Sequence, residues 1–302
     1  MNARLLIPLD GSPLAEQSLS YAALLGRELP AELVLFHVVS LPSCAKEILS
    51  NTGLNTATLI ELLDGRATDY LRRVTEQLAA AGLPARQVIR HGLVAEAIVD
   101  YAERSDVQMV VMSTHGYSGI RRWMHGSVAE RVLQSASVPV LLVRARDSEV
   151  GTLREPVAFR RILVPLDGST VAEQVLPPTI SLARAFDAEV VLFQVPIVCV
   201  TGSLIGEWFL PLSGDLGTAI PDSRGYLDRV ASSLEQQGLR VSTAMQIGAV
   251  AESIVGYAEA NRMDLVAMCT HGRTGGGRWV LGRVADRVLR AGSRPMLLVR
   301  AQ

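Results

Sequence analysis

The chain repeats itself, and that repetition limits the folds open to it more than any other feature. The residues from Arg4 to Ser12, RLLIPLDGS, return as RILVPLDGS from Arg161 to Ser169. Further along, VAEAIVDYAE from Val94 to Glu103 returns as VAESIVGYAE from Val250 to Glu259, and PVLLVR from Pro139 to Arg144 returns as PMLLVR from Pro295 to Arg300. The offset is 157 at the start and 156 later, so little more than one net gap separates the copies. Two copies of one fold, each with its own core, are therefore expected. The boundaries read as a first domain over 1–145, a linker over 146–158 and a second domain over 159–302. The linker is the polar stretch in which the hydrophobic period breaks.

Within the first copy short apolar runs alternate with amphipathic ones. The pattern predicts strand 4–9, helix 13–28, strand 31–38, a variable loop, helix 58–81, strand 85–90, helix 93–104, strand 107–113, a glycine-bearing loop, helix 127–136 and strand 140–144. Such alternation means an α/β fold with a parallel sheet, doubly wound because right-handed crossovers leave few other topologies. In these sheets a ligand sits beyond the carboxyl ends of the strands, where strand order reverses. Asp10 after the first strand and the loop after the fourth would meet there. The second copy differs at 201–223, where no clean period is found and a loop packed on its own domain is expected.

Composition excludes several classes. With 302 residues, 49% of them hydrophobic and 20% charged, the chain has ample material for packed cores. A formal net charge of −1 gives no bulk attraction to nucleic acid or to an anionic membrane, so anion binding would need a local site. Cys44, Cys199 and Cys269 lie far apart without CxxC spacing, which fits a reducing compartment, the cytoplasm, and not a disulfide frame or thiolate zinc site. No stretch approaches the roughly 18 apolar residues of a membrane span.

The local site is the glycine loop. Ser113, then Gly116, then Gly126-Ser127, follows a buried strand and opens a helix, and Cys269, Gly272 and Gly282-Arg283 repeat the arrangement. Glycine lets backbone approach a ligand closely, and a helix amino terminus offers N–H groups and a favourable dipole to an anion. Asp10 and Asp167 are also simple turn formers in Asp-Gly-Ser, with the serine free to cap the next helix. His115 and His271 have no sequence-adjacent partner for a catalytic dyad, and Arg121, Arg122 and Arg278 read equally as phosphate contacts or as a solvated face.

With these residues in hand, the chain resembles the universal stress protein family in its tandem-domain form, over nearly its whole length. Nucleotide-binding members look like G-x2-G-x9-G-[ST] after the fourth strand, with Asp after the first. The first copy departs at Ser113 alone; the second departs at Cys269 and at Arg283, where the terminal hydroxyl is lost. The resemblance implies five strands in the order 3-2-1-4-5 in each domain, ATP with Mg2+ between the first and fourth strands, and no catalytic residue or protein-held metal. It implies Asp10 near ribose and adenine, the Val38 backbone on the adenine edge, Gly116 and Gly126 admitting phosphates, and Ser127 holding the terminal ones. Pro8, Met112, Ser113 and Val128 would line the same site, and Pro165, Asp167, Val195, Met268, Cys269, Gly272, Gly282, Arg283 and Val284 its counterpart. A homodimer, with terminal-strand edges pairing between domains or chains, is implied as well.

Three functions follow as alternatives: a nucleotide-dependent regulator in stress response, a slow ATP hydrolase, and a nucleotide-free interaction module. Against the hydrolase stand the lack of a G-x4-G-K-[ST] loop and of a base aimed at water.

Overall fold

A computed structural model describes residues 3–41, 55–114, 127–144, 158–196, 200–205, 208–214, 216–271 and 281–301. The chain forms two compact units, one of Met1–Ala158 with Pro295–Arg300, the other of Phe159–Arg294 with Ala301–Gln302. The proposed linker, Ala158 apart, lies outside the described residues.

The first unit runs β1 (Ala3–Pro8), α1 (Pro13–Glu28), β2 (Ala31–Val39), α2 (Thr56–Ala80), β3 (Ala85–His91), α3 (Val94–Arg104), β4 (Val107–Ser113), α4 (Ser127–Ser135) and β5 (Val140–Val143). Its strands lie in the order β3-β2-β1-β4-β5, all parallel. The inner strands β1, β4 and β5 are mostly apolar because helices cover both faces of the sheet, whereas edge strand β3 carries Arg86, Gln87, Arg90 and His91. Leu5, Leu6 and Ile7 of β1 and Val110 and Val111 of β4 are fully buried. Helix α1 turns Ala15, Leu19, Ala22 and Leu25 inward at helical spacing, and Gly26 admits Leu33, whose Cδ2 would stand 2.9 Å from an added Cβ. On the other face Tyr101 of α3 stacks on Phe36, ring centroids 5.0 Å apart.

The final strand of the chain, β12 (Met296–Val299), belongs to this unit and pairs antiparallel with β5, Leu297 opposite Leu141. Backbone groups along β5 that would otherwise form an open edge are thereby bonded.

The second unit contains β6 (Arg161–Pro165), α5 (Thr170–Glu173), α6 (Leu176–Phe186), β7 (Glu189–Gln194), β8 (Val200–Ile205), β9 (Trp208–Gly214), α7 (Leu216–Glu235), β10 (Arg240–Met245), α8 (Val250–Ala260), β11 (Leu265–Cys269) and α9 (Arg283–Ala291). The strands β10-β7-β6-β11 are ordered 3-2-1-4 when counted within the repeat. Phe193 meets Tyr257 with centroids 4.7 Å apart, as Phe36 meets Tyr101. The long helix of the first repeat is broken here into α5 and α6, since Pro177 and Pro178 replace Ser20 and Tyr21 and remove helix-interior N–H donors.

Region 201–223 corrects the expectation of a loop. It holds most of an antiparallel hairpin, β8 with β9, and the first turns of α7. The β-branched and aromatic residues there carry strand propensity, but the Gly and Pro among them hid the alternation. Pro221, an ordinary helix stop, hid the start of α7.

Phe36 is 1% exposed. Phe36→Ala is expected to lower the stability of the first unit by about 3–5 kcal/mol, read from its denaturant transition. A change at exposed Arg72 should leave that transition in place.

Candidate functional site

The site begins where β1 stops. Pro8 has no N–H to give to a neighbour, and the pairing of β1 with β4 has already ended at Leu6 opposite Val110. Leu9 keeps one bond to β2, its N–H donating to Phe36 O at 2.8 Å, before Gly11 takes a φ of +85°. The Asp10 carboxylate then accepts through one oxygen from both the N–H (2.9 Å) and the hydroxyl (2.6 Å) of Ser12. Ser12 Oγ in turn accepts from the Ala15 N–H at 3.1 Å and caps α1. The turn role of Asp10 is thus realised, and it fixes the carboxylate at the carboxyl edge of the sheet. Asp167 and Ser169 repeat the geometry at 3.0, 2.6 and 3.1 Å.

Because β1 turns away after Leu9, β2 extends beyond it. In a parallel strand, residues bond alternately to one neighbour and the other. Phe36 O faces β1 and Val39 O receives Gly92 N–H from the β3 side, so the Val38 backbone faces the space that β1 has left. Val195 has the same relation to Leu166, which donates to Phe193 O at 2.8 Å.

A cavity of about 670 Å³ occupies that space in the first unit. Pro8, Asp10, Val38, Met112, Ser113 and Val128 all line it. Ser127 opens α4, so the free N–H groups of that helix's first turn begin at the expected position. Gly116, Gly126 and the rest of the loop between, with His115, Arg121 and Arg122, lie outside the described residues, as do Gly272 and Arg278.

The lining residues that were not sequence candidates include His37, Arg66, Tyr70 and Arg73. His37 donates from Nδ1 to Leu9 O at 2.8 Å, since a carbonyl only accepts, and its Nε2 is then an acceptor. Burial pushes the imidazole below its ordinary value of 6.5, against the Leu9 carbonyl and Asp10, which favour the proton. The Tyr70 hydroxyl is buried without a hydrogen-bond partner. Burial above all, then the Glu16 and Asp10 carboxylates, makes it harder to ionise, while Glu16 stops short of hydrogen-bonding geometry. Comparison of the repeats held the signal: GRATDYLRRV from Gly65 to Val74 aligns with PDSRGYLDRV from Pro221 to Val230, where the five residues before the tyrosine all diverge while Tyr70, Leu71, Arg73 and Val74 recur.

In the second unit Pro165, Asp167 and Val195 take the places of their counterparts, with Met268 and Cys269 buried at the end of β11. The Cys269 thiol lies 3.5 Å from Ala172 O and is pushed up to about 11 by burial, so it packs as a small apolar group. Gly282 has a role beyond ligand clearance. Its N–H donates to Thr270 O at 2.8 Å, and an added Cβ would stand 2.6 Å from that same oxygen. Arg283 is exposed at the first position of α9, with Val284 half-buried behind it; a cation there opposes the helix dipole, which Asp286 partly offsets. Among the described residues no group of three or more His, Cys, Asp or Glu is placed to hold a metal ion.

Comparison with known proteins supplies the family context. The model of the "Universal stress protein family" matches residues 1–144 and again 158–300. A universal stress protein of Methanocaldococcus jannaschii, MJ0531, is 34% identical over 142 residues, 47% of this chain and 82% of that protein. Slr1230 of Synechocystis sp., also a universal stress protein, is 23% identical over 98% of this chain and 99% of its own. The crystal structure of a universal stress protein from Archaeoglobus fulgidus superposes with a TM-score of 0.74 over 98% of both chains at 20% identity, a likeness of fold.

Two outcomes test the geometry. Gly282→Ala should displace the start of α9 and lower the stability of the second unit, by about 1–3 kcal/mol if the clash is relieved only in part. His37 has a depressed folded pKa, so its contribution is present above pH 6.5 and is lost as pH falls toward the folded value. His37→Gln, the residue found at 194, should remove that part of the acid sensitivity from a pH series of thermal denaturation.

Proposed function

The chain belongs to the universal stress protein family, and on that premise we propose that its first repeat binds an adenine nucleotide, ATP, and acts through that occupancy as a regulator in stress response. One observation carries the reading: a single cavity at the carboxyl edge of the sheet gathers Pro8, Asp10, Val38, Met112, Ser113 and Val128. The chemistry of these groups suits a nucleotide. A carboxylate accepts from ribose hydroxyls, an unpaired strand backbone offers both a donor and an acceptor to a base edge, and the first turn of α4 offers N–H groups to phosphate. Gly116 and Gly126 are assigned to the phosphate side of this site, with Ser127 as hydroxyl donor. ATP supplies the polyanion; Mg2+, where it accompanies ATP, would be held by the phosphates.

The second repeat carries the weaker site in this proposal. Asp167, Val195 and Gly282 keep their places, but Arg283 stands where a serine hydroxyl would be. The proposal assigns no catalytic residue, and includes the domain limits 1–145 and 159–302, a cytoplasmic location and a homodimer. β5 is paired with β12 within the chain, and the proposed homodimer uses another surface.

Mass spectrometry of ligand released from the purified protein is expected to find an adenine nucleotide. In calorimetry Asp10→Asn keeps an oxygen for Ser12 but loses the charge, and should weaken ATP binding about 10- to 100-fold, the worth of one charge-assisted hydrogen bond. Gly116→Val should abolish binding with the fold intact by circular dichroism. ATP affinity unchanged in both variants would remove the site assignment.

A further inference from the structure

The cavity has a side that the strand ends and α4 do not provide. Helix α2 turns Leu63, Arg66, Ala67, Tyr70 and Arg73 onto it, a spacing of three and four that defines one helical face. Tyr70 sits at the centre of that face. It is 8% exposed, its ring packs edge-on toward His37 at 6.2 Å between centroids, and among the described residues its hydroxyl has no hydrogen-bond partner. A buried hydroxyl left unpaired is costly, and a native protein that retains one at a cavity wall has a use for the donor. Arg66 and Arg73 flank it one turn away on either side, Arg73 with its guanidinium 6.0 Å from the ring centroid. Neither arginine is engaged in an ion pair among the described residues.

In the second repeat the corresponding helix carries the same tyrosine with a partner. Tyr226 corresponds to Tyr70, and its hydroxyl donates to Glu173 at 2.9 Å. Glu173 corresponds to Glu16, which makes no such bond to Tyr70. Asp222 stands at the position of Arg66, an inversion of charge, while Arg229 keeps the position of Arg73. Ser223 replaces Ala67 between them.

We propose that Tyr70, Arg66 and Arg73 form a second binding wall of the first repeat, which recognises a phosphate-bearing ligand from the α2 side and confines tight binding to that repeat. The proposal rests on the nucleotide reading above. Tyr70 donates one hydrogen bond to the ligand. The two guanidinium groups offset Asp10 and Glu16, whose charges would otherwise repel a polyanion from the cavity mouth. In the second repeat the tyrosine is already committed and Asp222 adds to the repulsion.

The test compares the full-length protein with Tyr70→Phe, Arg66→Asp and Arg73→Gln by calorimetry, using ATP and adenosine as probes. Tyr70→Phe is expected to weaken both probes about 3- to 10-fold while the melting temperature of the ligand-free protein holds or rises, because an unpaired buried hydroxyl has been removed. A purely structural tyrosine would lower the melting temperature instead. Arg66→Asp and Arg73→Gln should each weaken ATP about tenfold, leave adenosine within twofold, and flatten the dependence of ATP affinity on salt. If wild-type protein binds ATP, Gly116→Val abolishes it and the three α2 variants bind as wild type does, the wall is overturned and the nucleotide site stands. If wild-type protein binds neither probe, both fall together.

Discussion

The bond from Ser12 to Asp10 is the contact on which the site depends. One carboxylate oxygen receives both the N–H and the hydroxyl of Ser12, at 2.9 and 2.6 Å, and the serine passes the constraint to α1 by capping Ala15. The turn carries β1 away from the sheet after Leu9. It leaves β2 running on to Val39 with β3 as its one partner, and it leaves β4 without a neighbour on that side beyond Val110. The sheet side of the cavity follows from that departure: the Val38 backbone facing an empty strand position, Ser113 at the end of β4, and the amino end of α4 beyond it. The same bonds at Asp167 and Ser169 impose the same layout on the second repeat.

From this shared frame the two repeats have drifted in some of the groups that would meet a ligand, while Asp10, Val38 and Met112 recur as Asp167, Val195 and Met268. His37 is replaced by Gln194, Arg66 by Asp222, Ser127 by Arg283 and Ser113 by Cys269. Groups that hold the frame have not drifted. Arg4 pairs with Glu32 at 3.0 Å and reaches Ser105 O; Arg161 pairs with Glu189 at 3.1 Å and reaches Asn261 O. Frame contacts sit at the amino edge of the sheet and ligand positions at the carboxyl edge, so packing constrains one end and binding the other.

Much of the fold was legible because hydrophobic period and punctuation agreed. Helix Pro13–Glu28 and strand Val107–Ser113 fall where the pattern places them, since Ser12-Pro13 is a strong helix start and Val107–Ser113 has no reading but a buried strand. The hairpin β8–β9 was not legible: glycines and prolines interrupt its alternation, and no stretch of the first repeat matches its sequence. In the site, Asp10 and Ser113 were found from loop chemistry. Tyr70 and His37 were not, because a tyrosine inside a 25-residue helix and a histidine inside a strand look like core until the topology sets them beside a cavity. Gly282 was read as clearance for a phosphate, whereas the 2.6 Å approach to Thr270 O gives it a backbone duty that no sequence pattern expresses.

The central claim is that one of the two repeats holds a working nucleotide site. Native mass spectrometry of the intact chain, titrated with ATP, measures it directly by counting occupancy per chain. The account predicts that one ATP binds first and saturates well before any second is taken up. Two equivalent sites filling together, or no bound ATP at all, would contradict it.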